Sequence, residues 1–157
     1  MRRISAVQGY LIDANLWVAA TFERHPHHGL VNGFFSQHTS PEQPAHLCRA
    51  TEQSWLRLIT TSALQRNYDS PVISNRDAVN LFEKTVALPN VSWTAAEPEG
   101  LGTLWHHLAS LPTASPKVWM DAYLAAFAIG HDLEFVTLDG DFKQFVKDGL
   151  KLKQLTP

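Results

Sequence analysis

The sequence is poor in cysteine and has no long apolar run. Cys48 is the only cysteine among 157 residues, which excludes an intrachain disulfide and a zinc site built on several thiolates. This usage is typical of a reducing compartment, so we expect a cytoplasmic protein. No apolar stretch approaches the roughly 20 residues of a membrane-spanning helix, and we expect no contact with a membrane. The start, Met1-Arg2-Arg3, is basic, but Gln8 and Asp13 interrupt the apolar stretch that follows, which argues against a signal peptide.

Charge is also scarce. Charged side chains make up 18% of the residues, and 13 basic against 15 acidic residues give a formal net charge of −2. This balance argues against a protein that binds nucleic acid through bulk positive charge. If RNA is the substrate, local arginines and bound metal ions must offset its phosphates. Hydrophobic residues reach 45%, enough for one core, and we expect a single domain over residues 1–157.

Short apolar segments alternate with longer helical patterns along the chain. Strands are predicted at Tyr10-Leu11-Ile12, 45–48, Val91-Ser92-Trp93, 135–138 and 150–153. Helices are predicted at 16–22, 29–35, 51–64, 77–88, 102–111 and 116–130, the last with Ser115 as its N-cap and Pro116 as its first residue. In the helix at 77–88, Val79, Phe82 and Val86 share one face. The alternation predicts an α/β fold with a mostly parallel central sheet flanked by helices.

Four acidic residues stand in apolar or structured settings: Asp13, Glu52, Asp121 and Asp139. Asp13 and Asp139 follow predicted strands, where parallel sheets bind ligands. Asp121 lies among apolar neighbours, where a carboxylate is costly unless it is paired or bound to metal, and the nearest basic residue along the chain is Lys117. Gathered carboxylates repel one another, and a divalent ion with hard oxygen ligands removes that repulsion. Such an ion activates water for attack on a phosphodiester.

Three of the four acids, taken alone, also have a plain structural explanation. Glu52 fits a solvated helix face. Asp13 fits a helix N-cap, and Asp139 fits turn chemistry. Only their joint placement favours a functional site.

Four stretches together resemble a known family. They are Leu11-Ile12-Asp13-Ala14-Asn15-Leu16, the stretch Cys48-Arg49-Ala50-Thr51-Glu52 with Leu56-Arg57-Leu58-Ile59-Thr60, the stretch from Trp119 to Ala126, and the stretch from Val136 to Phe142. Their order and spacing resemble the PIN-domain ribonucleases, and in particular the VapC toxins of VapBC toxin–antitoxin systems, over residues 10–155. The third and fourth stretches are the most specific.

The resemblance implies a PIN fold and an endoribonuclease that hydrolyses RNA phosphodiesters with metal-activated water. It implies catalytic roles for Asp13, Glu52, Asp121 and Asp139, and a Mg²⁺ or Mn²⁺ site formed by Asp13, Asp121, Asp139 and Asp141. Arg57 and Asn15 become candidate substrate-binding residues, although Arg57 also fits a plain surface arginine. We further expect a homodimer held by apolar helix faces. A small VapB-like antitoxin, whose tail places a basic residue among the acids, is the expected inhibitor.

Asp139 and Asp141 are not expected to be equivalent. Asp139 follows a strand that fixes its position, and we predict that it is the direct ligand. Asp141 follows Gly140, which loosens its placement. We predict that Asp141 caps a helix beginning at Phe142, or that it contacts the metal through water.

The sequence also contains a histidine-rich segment and is compatible with other functions. His25-Pro26-His27-His28 suggests a zinc site, but adjacent histidines beside a proline do not easily share one tetrahedral ion, and a solvated loop is favoured.

Alternative functions are a PIN nuclease in RNA processing outside a toxin pair, a receiver-like signalling domain and a silent binding module. A receiver-like domain needs a lysine after a late strand, which the sequence lacks. The RNA target does not follow from any residue.

Overall fold

The computed structural model describes residues 8–157. The basic start Met1-Arg2-Arg3, considered above for a signal peptide, lies outside this range. Within it, the helices are all too short or too polar to cross a lipid bilayer.

Strands and helices alternate along the described chain, as the apolar pattern predicts. The strands are β1 (Tyr10–Ile12), β2 (Ala45–Leu47), β3 (Val91–Trp93), β4 (Glu134–Thr137) and β5 (Leu152–Gln154). The helices are α1 (Ala14–Thr21), α2 (His28–His38), α3 (Arg49–Ile59), α4 (Ser62–Asn67), α5 (Asn75–Val86), α6 (Leu101–Ala109) and α7 (Val118–Gly130), and a 3₁₀ helix covers Gly140–Asp148.

The five described strands form one parallel sheet in the order β3-β2-β1-β4-β5. This confirms the predicted α/β fold with a parallel central sheet flanked by helices. The central strand β1 pairs with β4, and Ile12 lies opposite Val136 in the register. The carboxyl ends of these two strands therefore meet at the same edge of the sheet, and the segments that carry the acids leave the sheet there.

The core lies on both faces of this sheet because successive strand side chains point in opposite directions. Leu11 and Phe135 belong to an apolar cluster with α6, α7 and the 3₁₀ helix. Ile12 and Val136 belong to a second cluster with α1, α3 and Trp55. Both faces are therefore covered, as is usual for a parallel sheet.

The predicted helix over residues 51–64 is wrong in its extent. The chain forms two helices, α3 and α4, which are separated at Thr60 and Thr61. The Thr60 hydroxyl donates to the Leu56 carbonyl, and the Thr61 hydroxyl donates to the Arg57 carbonyl. These two hydroxyls bond to carbonyls in the last turn of α3, where the helix ends.

The helix predicted over residues 77–88 begins earlier, at Asn75, because Ser74 and Asp77 form a capping box. The Ser74 hydroxyl accepts from the Asp77 backbone N–H at 3.1 Å, and the Asp77 carboxylate accepts from the Ser74 N–H at 2.9 Å. Among the residues of this helix, Val79 is 49% exposed, whereas Ala78 is buried.

The last long helix starts two residues later than predicted. Ser115 and Pro116 lie in a turn, closed by a hydrogen bond from the Val118 N–H to the Ser115 carbonyl at 3.1 Å. Lys117 is the N-cap residue of α7, with no side-chain cap hydrogen bond. The helix ends at Gly130, as predicted.

Candidate active site

Strands β1 and β4 bring the first and last acids of the sequence pattern to one edge of the sheet. The Asp13 N–H donates to the Val136 carbonyl at 2.9 Å, which continues the β1–β4 ladder to the base of the carboxylate. Asp139 lies two residues beyond the end of β4, one residue later than predicted. Asp13 occupies the N-cap position of α1, but its side chain makes no cap hydrogen bond there.

The buried hydroxyl of Thr137 connects these two acids. It donates to Asp13 Oδ2 at 2.7 Å, and it accepts from the Asp139 N–H at 3.0 Å. It also accepts from Asn15 Nδ2 at 3.3 Å. Thr137 was not among the predicted site residues, and its signal in the sequence is a hydroxyl residue within an apolar strand, two positions before an aspartate.

Burial leaves Asp13 with poorly compensated negative charge. Desolvation raises the pKa of Asp13 to about 6, and the hydrogen bonds from Thr137 and from the Ala14 N–H oppose this rise. The charges of Asp121 and Asp139 raise the pKa further. These three carboxylates therefore lie within electrostatic reach of one another, although they come from distant parts of the chain.

Asp121 lies in the first turn of α7 and is 9% exposed. Its burial agrees with the expectation from its apolar neighbours. Burial raises the pKa of Asp121, the positive charge of Lys117 lowers it, and the charges of Asp139 and Asp141 raise it. A position in the first turn also suits a carboxylate, because the N-terminal end of a helix carries partial positive charge.

Asp139 and Asp141 form an outer pair of carboxylates. Asp139 Oδ1 accepts from the Asp141 N–H at 2.9 Å and so caps the 3₁₀ helix. The prediction that Asp141 caps a helix beginning at Phe142 is therefore wrong, because the helix begins at Gly140 and the preceding acid takes that role. Lys117 Nζ donates to Asp139 Oδ2 at 3.2 Å and also to Asp141 Oδ2.

Glu52 lies in the first turn of α3, which follows the carboxyl end of β2. Its carboxylate accepts from Arg49 at 2.8 Å, and its side chain is 12% exposed. The Arg49 guanidinium also lies 4.7 Å from the ring centroid of Trp93, a cation–π arrangement. Arg49, which was not among the predicted site residues, is the arginine that binds this acid.

The two candidate substrate-binding residues lie in different surroundings. Arg57 is exposed in the last turn of α3, about 7.5 Å further along the helix axis than Glu52. Asn15 lies at the acidic edge, where its amide bonds to Thr137 and its Oδ1 accepts from the Leu138 N–H at 3.4 Å. Asn15 therefore holds the end of β4 against the start of α1.

As they stand, no three acids, histidines or cysteines within residues 8–157 are close enough together to enclose a metal ion. The outer carboxylates instead bind the ammonium of Lys117. The inner carboxylates of Asp13 and Asp121 still fit a hard cation, because both offer oxygen ligands and both have raised pKa values. Mg²⁺ commonly uses one or two carboxylates together with waters and substrate phosphate.

The segment His25-Pro26-His27-His28 makes contacts with neighbouring parts of the chain. His28 Nδ1 lies 2.8 Å from the Ala19 carbonyl, and its Nε2 lies 2.9 Å from Asn32 Nδ2. The His25 ring packs against Tyr68 at 4.9 Å between centroids. These contacts favour a structural loop over the zinc alternative.

Comparison with known proteins agrees with this geometry. The profile of the PIN domain matches residues 10–148. Ribonuclease VapC41 of Mycobacterium tuberculosis is 38% identical over 145 residues, which are 92% of this chain and 97% of the relative. Ribonuclease VapC31 of the same organism is 32% identical over 136 residues, or 87% and 92% of the two chains. The chain belongs to the VapC ribonuclease family of PIN-domain proteins.

Two solved structures show the same fold. The crystal structure of VapC20 of Mycobacterium tuberculosis, a toxin that cleaves the sarcin–ricin loop, matches with a TM-score of 0.62 and 16% identity, covering 95% of this chain and all of that one. The structure of VapBC2 from Rickettsia felis, bound to a promoter DNA fragment, matches with a TM-score of 0.57 and 11% identity. It covers 94% of this chain and 98% of that one.

Proposed function

We propose that this protein is an endoribonuclease that depends on Mg²⁺ or Mn²⁺ and is the toxin of a type II toxin–antitoxin pair. The observation that carries the proposal is the convergence of Asp13, Asp121 and Asp139 at one edge of the sheet, in a chain of the VapC family. The negative charges of these three carboxylates repel one another, and burial adds a cost of keeping them ionised. A bound cation offsets both costs, which gives the site affinity for a cation.

The chain's own residues have distinct roles in this proposal. Asp13 and Asp121 hold the ion, and Thr137 holds Asp13 in place. Asp139 and Asp141 are the outer acids that the resemblance also assigns to the metal site. When bound, the ion stabilises negative charge on the phosphodiester and lowers the pKa of the attacking water.

Contacts with RNA lie around these acids. Glu52, held by Arg49, is the proposed fourth catalytic acid. Arg57 is proposed to contact RNA phosphate outside the acidic edge, where it is exposed. Asn15 is proposed to act beside the substrate by fixing the end of β4, since both ends of its amide are bonded there.

Two protein partners are part of the proposal, an antitoxin and a second copy of this chain. A VapB-like antitoxin is proposed because the fold matches the toxin–antitoxin complex VapBC2. A homodimer through apolar helix faces is proposed because Trp119 and Met120, on α7 beside the acidic edge, are 52% and 48% exposed. A short upstream reading frame for a small DNA-binding protein would support the toxin over an RNA-processing nuclease. Harmless expression of the active enzyme without an antitoxin would contradict the role as a toxin.

The test is to map new 5′ ends in total RNA treated with the purified protein and Mg²⁺. We expect discrete cleavage sites that disappear with excess EDTA and return with Mn²⁺. Asp13→Ala should remove them. The matched control is Asp69→Asn, which changes an exposed aspartate paired with Arg24 and should leave cleavage unchanged. Full cleavage in EDTA would refute the metal dependence.

A further inference from the structure

The acidic edge already contains one positive charge that belongs to the chain. Lys117 Nζ donates to Asp139 Oδ2 at 3.2 Å and to Asp141 Oδ2. The lysine side chain is 65% exposed, so the ammonium closes the outer side of the acids and still faces solvent.

The fold fixes the two backbone segments that this contact joins. Lys117 is the N-cap residue of α7, four residues before Asp121, so both side chains come from the same end of one helix. Asp139 is fixed from the other side, because its N–H donates to Thr137 and its Oδ1 accepts from the Asp141 N–H. Only Oδ2 of Asp139 is directed at the lysine. The contact therefore joins two segments that the fold holds in place independently.

This arrangement separates the four aspartates into two pairs. The outer pair, Asp139 and Asp141, binds the ammonium. The inner pair, Asp13 and Asp121, lies deeper, and the carboxylate of Asp13 is held by the Thr137 hydroxyl. A second cation at the outer pair has to displace Lys117 or lie beside it. A cation about 4 Å from the Lys117 ammonium is repelled by its positive charge.

We propose that Lys117 holds the outer cation position of the acidic site, so that each chain binds one divalent ion, at Asp13 and Asp121, and not two. The inference rests on the proposed metal-dependent function, and it goes beyond that function by naming how many ions the site takes and which residue sets the number. In two-metal nucleases, paired ions stabilise both the attacking and the leaving oxygen. Here the ammonium supplies the second positive charge.

The experiment counts Mn²⁺ ions bound per chain, by calorimetric titration and by the electron paramagnetic resonance signal of free Mn²⁺, without RNA. We expect one ion for the wild-type protein and two for Lys117→Gln, which removes the charge. The second ion should bind about tenfold or more tightly to Lys117→Gln than to the wild type, because a positive charge at about 4 Å is removed. Lys117→Arg keeps the charge and should bind one ion.

The matched control is Lys151→Gln, because Lys151 is also an exposed lysine in an ion pair, with Asp132 at 2.7 Å. This variant should bind one ion. If Lys117→Gln does not fold, as judged by circular dichroism, Lys117→Ala makes the same test. Two ions on the wild type, or one ion on both the wild type and Lys117→Gln, would overturn the inference and leave the proposed function standing. No Mn²⁺ on any variant would overturn the proposed function itself, and this inference with it.

Discussion

Replacing Asp13 by asparagine should stabilise the metal-free protein at neutral pH while abolishing its activity. Burial raises the pKa of Asp13 from 3.8 to about 6 in the folded protein. A carboxyl with a raised folded-state pKa favours folding at pH values below its unfolded pKa, and this contribution is lost as the pH rises through the folded pKa. The wild type should therefore lose stability between about pH 4 and pH 6, whereas the asparagine variant has no carboxyl proton to lose there.

The size of the effect follows from the two pKa values. A change from 3.8 to about 6 corresponds to about 3 kcal/mol once the pH exceeds both values. Part of this cost is already present at pH 4.5, because the unfolded carboxyl is then mostly ionised. The advantage of Asp13→Asn should therefore grow by about 2 kcal/mol between pH 4.5 and pH 7.5. A constant offset is expected as well, because the asparagine amide has one acceptor oxygen where the carboxylate has two.

The assay is urea unfolding of both proteins in EDTA at these two pH values, followed by fluorescence. Comparing the difference between the two pH values removes the constant offset. Excess Mg²⁺ at the higher pH should stabilise the wild type and leave Asp13→Asn unchanged, because the variant lacks a ligand. A difference in stability that does not change with pH would show that the Asp13 carboxylate is well solvated, and the reasoning about burial would be refuted.

Three further predictions concern the neighbours of Asp13. Asp121→Asn should abolish RNA cleavage and leave the circular dichroism spectrum unchanged; wild-type cleavage would show that Asp121 is only structural. At saturating Mg²⁺, Asp139→Ala should lose more cleavage rate than Asp141→Ala, because Asp139 lies within electrostatic reach of the proposed metal ligand Asp13. Asp139→Ala should also lower the free energy of unfolding by about 1 kcal/mol, more than Asp141→Ala does, through loss of the 3₁₀-helix cap. The reverse order of the two variants in either assay would contradict the roles given to these aspartates. Thr137→Val should cost about 1–3 kcal/mol in urea unfolding, because it leaves Asp13 and the Asp139 N–H without a buried partner, and an unchanged midpoint would argue against that role.

The sequence by itself determined the elements that carry the acids. Tyr10-Leu11-Ile12 is an apolar run ended by a charged residue, so a strand followed by Asp13 is a local consequence of composition, and the structure confirms it. The burial of Asp121 was equally predictable, because its neighbours on α7 are apolar and a helix buries its apolar face. Alternation of short strands and longer helices sufficed for a parallel sheet, since parallel strands need crossover connections.

Local signals were less decisive where a few polar hydrogen bonds set a boundary. The break between α3 and α4 lies at two threonines whose hydroxyls bond to α3 carbonyls, and α5 starts at the Ser74–Asp77 capping box. In both places the apolar period continues across the boundary. A pattern of apolar residues alone therefore could not locate these ends.

Only the tertiary structure decided how the acids are partnered. Thr137 bonds to Asp13 across 124 positions of the chain, and Lys117 reaches Asp139 and Asp141 across 22 and 24 positions. Lys117 was visible in the sequence as the basic residue nearest to Asp121, yet it binds other acids instead. The physical reason is that strand order places β4 beside β1, and the N-terminus of α7 over their carboxyl ends. The spacing of residues along the chain therefore does not predict which carboxylate a lysine ammonium binds, because packing brings distant segments together.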